Sequence, residues 1–253
     1  MIPSLPSVYN VINLKNVSST NQEAIKLAKL GEDSAPDGTI VLAEEQSQGR
    51  GRRGNIWHSP PGNLYLSLIL RPEVSVQRSA ELSFVAALAV YDALGNIGPP
   101  GHQVHCKWPN DILLNNKKVA GILLETESKL NKRSVDWLVL GLGINVLSFP
   151  TDSNSKATSL KFEGWTNNAD EVLRAFAKSF LSWTNQWLNE GFHVIRRNWL
   201  WRSIGIGEIV TVNIGKHKLT GTFMDISEDG ALVLNVNDEI INVSAGEVFF
   251  KEQ

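Results

Sequence analysis

Apolar residues recur along this chain at the two spacings of regular structure, every third or fourth position in some stretches and alternate or continuous in others. Polar Ser18-Ser19-Thr20-Asn21 leads into a predicted helix, with Thr20 followed by Glu23 in capping-box order and Gly31 as the stop. Asp37-Gly38 makes a turn, and residues 39–43 are β-branched and apolar enough for a buried strand. Residues 44–62 are polar, carry glycines, arginines and Pro60-Pro61, and read as a surface loop. A strand resumes over Leu64–Leu70, ended by Arg71-Pro72 because proline has no ladder donor. The alanine-rich residues 77–94 predict a core helix closed by Gly95. Extended pieces at 104–108 and 111–114 follow, and Asn115-Asn116 sits at a tight turn before 119–127, which together predict a hairpin. The apolar run 135–146 carries Gly141 and Gly143, whose missing side chains let a ligand approach the backbone. Leu173, Phe176, Phe180 and Trp187 stripe a helix over 170–189, and another is expected over 192–203.

From Ile206 onward the pattern changes to short strands with turn signals at Asn213-Ile214-Gly215, Glu228-Asp229-Gly230 and Asn237-Asp238. This predicts a small all-β unit and a boundary near Gly205, dividing the chain into 1–204 and 205–253. The total of 253 residues suits one large and one small domain.

Composition narrows the function classes. With 24 basic and 26 acidic residues the net charge is −2, and 42% of residues are apolar, so neither disorder nor a surface coating nucleic acid is expected. The single cysteine, Cys106, excludes a disulfide framework and a Cys-rich zinc site, suits a reducing cytosol, and reads as a small buried apolar residue. Five scattered histidines suggest no metal centre. The N-terminus lacks the basic region and apolar core of a signal peptide. The most apolar stretch, 84–94, is broken by Asp92 and falls short of the roughly 20 residues that cross a bilayer. A cytoplasmic protein with no membrane partner is expected.

Three segments carry candidate chemistry. Gln46-Ser47-Gln48-Gly49-Arg50-Gly51-Arg52-Arg53-Gly54-Asn55-Ile56-Trp57 puts guanidinium groups among flexible backbone, which suits an anion, although a solvated arginine loop has the same composition. Lys107-Trp108-Pro109-Asn110-Asp111, followed across the turn by Lys117-Lys118-Val119-Ala120-Gly121, can bring Asp111 and Lys118 to one pocket; the competing reading is a hairpin with exposed lysines. In Gly141-Leu142-Gly143-Ile144-Asn145 the glycines serve either tight packing or a ligand, and the Asn145 amide suits an adenine edge.

Taken in order, Ser19-Thr20-Asn21, the Gly49–Gly54 loop, Lys107–Asp111, Lys118-Val119-Ala120-Gly121-Ile122-Leu123, the Gly-x-Gly-x-Asn strand, Ala157-Thr158-Ser159-Leu160 and the terminal β unit resemble the biotin protein ligases. The resemblance spans nearly the whole chain. It implies an α/β (α+β) catalytic domain of the class II synthetase-like biotin/lipoate ligase type, a mixed β-sheet flanked by helices, with a C-terminal SH3-like β-barrel. It also implies the reaction: biotin's carboxylate attacks the α-phosphorus of ATP, giving biotinyl-5′-AMP and pyrophosphate, and a lysine of a biotin carboxyl carrier domain then displaces AMP. Both steps build negative charge, so fixed cations and Mg²⁺ are expected.

By the same resemblance Lys118 bridges the biotin carboxylate and the α-phosphate, Arg50 shares the main electrostatic work, Arg52 lies on the adenylate loop and Arg53 is an auxiliary phosphate contact. Ser19, Thr20, Asn21, Gln46 and the backbone of Gly49, Gly51 and Arg52 would hold biotin's ureido ring, with the valeryl chain running past Gly121, Gly141 and Gly143. Trp57 would pack on adenine, unless it is a loop anchor, and Asn145 would hydrogen-bond adenine. Asp111 would orient the acceptor lysine or take its proton, with Glu125 and Glu127 as alternatives.

Two positions depart from the family pattern: Asn55 stands where the loop usually has a further arginine, and Lys251 where many members have one near the C-terminus. With the substrate segment at Ser19, a ligase without an N-terminal helix-turn-helix and without operator binding is expected, and a homodimer remains open. A lipoyl-transferring relative is disfavoured by the loop, and a nucleic-acid-binding protein by the acidic tail through Glu228, Asp229, Asp238, Glu239 and Glu247. The arginine loop is expected to be mobile until ligand orders it.

Overall fold

The computed structural model describes residues 4–127, 134–151, 156–215 and 217–250. Its first strand, β1 (Asn10–Val17), was not announced by the hydrophobic pattern. It forms a sheet edge, parallel to β2 (Thr39–Gln46), and most of its positions stay partly open to solvent, which its asparagines and lysine tolerate. Helix α1 (Thr20–Lys29) makes the crossover between the two. Its predicted capping box is absent: Ser19 is the N-cap without a side-chain bond, and Glu23 pairs instead with Lys26.

Strand β3 (Leu64–Leu70), buried at every position, runs antiparallel to β2. The single helix expected over 77–94 is two, α2 (Val76–Ser79) and α3 (Leu82–Ile97). Ser75 caps the first by accepting from Arg78 N. The second runs through Gly95, beside which there is open space, and stops at Gly98, where any Cβ would meet the Trp165 ring at 2.3 Å. Strands β4 (Val104–Lys107), β5 (Asp111–Leu114), β6 (Lys117–Glu127) and β7 (Trp137–Ile144) complete a seven-stranded sheet in the order β1-β2-β3-β7-β6-β5-β4. Helix α4 (Ala169–Glu190), opened by an Asn168–Glu171 capping box, and α5 (Phe192–Arg202) follow close to their predicted limits.

The period of two sorts the sheet into unlike faces. One face, with Leu66, Leu68, Leu138, Leu140 and Leu142, packs on α3 and α4 in the main core. The other meets α1 through small residues, Ala24 and Ala28 against Val41, Ile69 and Val139. On this second face the strands also carry Gly121, Gly141 and Gly143.

The tail forms a five-stranded antiparallel SH3-like unit: β8 (Ile209–Ile214), β9 (His217–Ile226), β10 (Leu232–Val236), β11 (Glu239–Val243) and β12 (Glu247–Phe250), in the order β11-β10-β9-β8-β12. Asn237 and Asp238, both at positive φ, turn β10 into β11. The unit is docked on the β4–β5 turn and α5, where Trp108 Nε1 donates to Gly230 O at 3.1 Å and Arg196 pairs with Asp225. Among the described residues one stretch, Val76–Ile97, is long and apolar enough to cross a bilayer, and 56% of it is buried inside the fold, as in a core helix.

Candidate active site

A β-bulge builds the centre of the site. Across β5 and β6, Asp111 pairs with Gly121 and Ile112 with Ala120, but Leu113 pairs with Lys118, leaving Val119 as an extra residue. In a regular strand Lys118 and Gly121, three apart, would face opposite sides. The extra residue resets the alternation and turns Lys118 to the side of Asp111. Lys118 Nζ then meets Asp111 Oδ1 at 2.6 Å. The hairpin therefore delivers both groups to one cavity, as the sequence predicts, and Asp111 is 8% exposed.

That cavity, of about 400 Å³, is lined by Gly121, Gly141 and Gly143. Ser19, Thr20 and Asn21 enter from the start of α1, Gln46 from the end of β2, and Asn145 from just past β7. The arginine loop closes the opposite side with Arg50, Gly51, Arg52, Arg53 and Trp57, so the cations of two separate segments do face one space. Gly49 does not line it. It is buried beneath the loop, where a Cβ would meet Trp57 O at 2.2 Å, and its own carbonyl accepts from Trp57 N.

The loop is docked, and each of its arginines has a partner on another element. Arg50 forms a fork with Glu125, Nη2 lying 2.9 Å from Oε1. Arg52 Nη1 donates to Asn110 Oδ1 at 3.2 Å, and Arg53 Nη1 to Asn213 O in the C-terminal unit at 3.2 Å. Burial, and after it the charge of Arg53, lowers the Arg52 guanidinium, with Asp111 and Glu247 acting in the opposite sense. Burial likewise lowers the Lys107 ammonium, against the pull of Asp111. Trp57 lies flat against the sheet: a Cβ on Gly143 would sit 2.5 Å from its Nε1, and one on Gly121 2.9 Å from its Cζ3. Lys118 Nζ is 5.4 Å from the indole centroid, a cation–π distance. Trp57 thus packs the loop onto the sheet.

Residues from the start of α1, the end of β2 and the middle of β3 form a connected polar wall. Gln46 Oε1 accepts from Thr20 N at 2.8 Å and Oγ1 at 3.1 Å, while its Nε2 donates to Ser59 Oγ. Asn21 Oδ1 lies 2.5 Å from the fully buried Ser67 Oγ, itself 2.8 Å from Thr20 Oγ1. Gly141 makes room for Asn21, since a Cβ there would approach Asn21 Oδ1 to 2.2 Å. Asn145 is 2% exposed, and its Nδ2 donates to Thr158 O at 3.0 Å.

Sequence reasoning missed several participants: Asn110, which holds Arg52; Ser67, which no motif marks; and Gly246 and Glu247, which bring the C-terminal unit to the cavity rim. Asn110 was within reach, inside the Lys107–Asp111 motif. Glu125 is engaged by Arg50 and by Asn21 Nδ2. Glu127 pairs with Lys29, away from the cavity. Asn55 lines the cavity and holds the loop through its backbone, Gly51 N donating to Asn55 O at 2.7 Å. Lys251 lies outside the described residues.

Clustered guanidinium and ammonium groups over a glycine-floored sheet, with an SH3-like unit at the rim, define a ligase of the biotin/lipoate type, and residues 5–201 match the Biotin/lipoate A/B protein ligase family. Residues 205–251 match the Biotin protein ligase C terminal domain. The chain belongs to the biotin protein ligase family. It is 40% identical to a biotin--[acetyl-CoA-carboxylase] ligase of Paracoccus denitrificans, covering 94% of this chain and 99% of that one. To the bifunctional ligase/repressor BirA of Bacillus subtilis it is 35% identical, over 92% of this chain and 71% of that protein. A solved biotin protein ligase of Aquifex aeolicus, in complex with biotin and ATP, superposes with a TM-score of 0.78 at 30% identity, covering 96% and 99% of the two chains.

Proposed function

We propose that the cavity carries out both halves of biotin–protein ligation, and the convergence of Lys118 with the loop arginines on one space carries the reading. A biotin carboxylate oxygen attacks the α-phosphorus of ATP, the bond to the β-phosphate oxygen breaks, and pyrophosphate leaves. An anion must approach a polyanion, so preorganised cations lower the barrier. Lys118 is the central one, its ammonium between Asp111 and the cavity, with Arg52 and Arg53 on the phosphate side. Arg50, engaged by Glu125, acts first as a clasp for the loop.

Thr20, Ser19 and the loop backbone are the proposed partners of biotin's ureido ring, where a buried polar group left unpaired costs about 1–3 kcal/mol. Gln46 and Asn21 fix that wall. The valeryl chain is assigned to the path beside Gly121, Gly141 and Gly143, on which Trp57 and Asn21 pack. Adenine is assigned to Trp57 and Asn145; with the Asn145 nitrogen on Thr158, its carbonyl oxygen is the atom proposed to accept from the adenine amine.

In the second half a lysine amine of a biotin carboxyl carrier domain attacks the acyl carbon of the adenylate and AMP leaves. Free lysine has a pKa of about 10.4, so its proton needs an acceptor, and Asp111 is the proposed group. Among the described residues no three His, Cys, Asp or Glu side chains gather to hold a metal. Mg²⁺ is therefore assigned to the nucleotide, arriving on its phosphates and balancing their charge. Its need for ATP and its single buried thiol favour a cytoplasmic site of action. The test is biotin-dependent exchange of labelled pyrophosphate into ATP by the purified protein. Exchange is expected only with biotin present, and none under any condition would refute the reading.

A further inference from the structure

Glu125 is gripped from two sides. Arg50 Nη2 and Nη1 lie 2.9 and 3.2 Å from its two carboxylate oxygens, a bidentate pair, and Asn21 Nδ2 donates to Oε2 at 2.9 Å. Asn21 in turn accepts from Ser67, whose hydroxyl also meets Thr20 Oγ1, and stands in the space left by Gly141. Four elements, α1, β3, β6 and β7, thus meet around one carboxylate, and it joins them to the arginine loop. The loop's other two arginines, Arg52 and Arg53, end on a neutral amide and a neutral carbonyl. The tie from Arg50 joins opposite charges, and it reaches the wall that carries Thr20 and Asn21.

We infer that Glu125 is a positioning residue for biotin activation: by gripping Arg50 and Asn21 together, its carboxylate closes the arginine loop against the wall that receives biotin's ring. This rests on the biotin-activating reading above. Removing the carboxylate leaves Lys118 and Asp111 in place, so the chemical step at saturating biotin continues. The closed population of the loop falls, and apparent affinity falls with it. A carboxylate that took the acceptor lysine's proton would instead affect the transfer step and leave biotin affinity unchanged.

The experiment compares wild type, Glu125→Gln and Glu125→Ala in biotin-dependent pyrophosphate exchange over a range of biotin concentrations, with amide hydrogen exchange of residues 47–57 and thermal unfolding measured alongside. The expected result for Glu125→Ala is a KM for biotin raised about tenfold or more, kcat within about threefold, and faster amide exchange in the loop. Glu125→Gln keeps an acceptor for Asn21 and one bond to Arg50, so it should fall between. Unchanged KM and unchanged amide exchange in both variants overturn the inference, as does a lower kcat at constant KM. If Glu125→Ala does not fold, Glu125→Gln decides on the same readouts. Absence of exchange in wild type would defeat the biotin-activating reading itself, before any variant is compared.

Discussion

A methyl group placed on Gly143 would bring its Cβ to 2.5 Å from Cε2 and Nε1 of Trp57 and 2.8 Å from Cζ2. Carbon contacts settle at about 3.5–4.0 Å, so roughly 1 Å must be found. The strand cannot supply it, because Gly143 is paired on both sides, with Tyr65 of β3 and Gly121 of β6. The indole can, because it hangs from a loop and is only partly buried. Gly143→Ala should therefore undock Trp57 rather than deform the core. Overpacking of this kind costs about 1–3 kcal/mol. Charged to loop closure, that is about a 5- to 150-fold loss of the closed state relative to the open one. The assay is the KM for biotin in pyrophosphate exchange, together with amide exchange of the loop and thermal unfolding. KM should rise within that range and residues 47–57 should exchange faster, with Tm falling by less than about 4 °C. A larger fall in Tm with biotin KM unchanged would refute the reasoning, because the strain would then reside in the sheet.

Two further predictions concern groups outside the cavity. Cys106 is fully buried, and burial pushes its thiol well above the usual range, so a thiol reagent should label none of it in the folded protein and one equivalent after denaturation; stoichiometric labelling under native conditions would contradict the packing. Burial tends to raise the Glu163 carboxyl, but hydrogen bonds from Thr158 and Asn115 and the charge of Lys117 outweigh it and hold the group below its ordinary value. A depressed carboxyl contributes stability above its unfolded pKa and loses it as pH falls through the folded one. Glu163→Gln should thus show a shallower decline of Tm between about pH 6 and 3, and a parallel decline would contradict the assignment.

The elements that could be foreseen are those whose side chains do one job. α4 carries an apolar stripe and a capping box, β3 an unbroken apolar run, and the β10–β11 turn an Asn-Asp pair, so pattern and structure coincide. β1 was missed because an edge strand in a parallel pair needs little apolar surface. Thr20 was misread as part of a cap because its hydroxyl and amide serve Gln46 instead. The motifs named the segments of the site, yet not how they connect. The bulge at Val119 that turns Lys118 toward Asp111, and the pairing of Arg50 with Glu125 75 residues away, depend on register and tertiary packing.

The most direct test of the account is single-turnover formation of biotinyl-5′-AMP by Lys118→Ala beside wild type, with thermal unfolding of both. Lys118 is partly exposed but Asp111 is buried, so breaking the pair leaves a buried carboxylate oxygen unpaired and should cost about 1–3 kcal/mol of stability. Adenylate formation should fall about 100-fold or more, as when a positioned charge at a developing anion is removed. A variant that makes adenylate at close to the wild-type rate would contradict the claim that this ammonium, together with the loop guanidiniums, brings the two anions together.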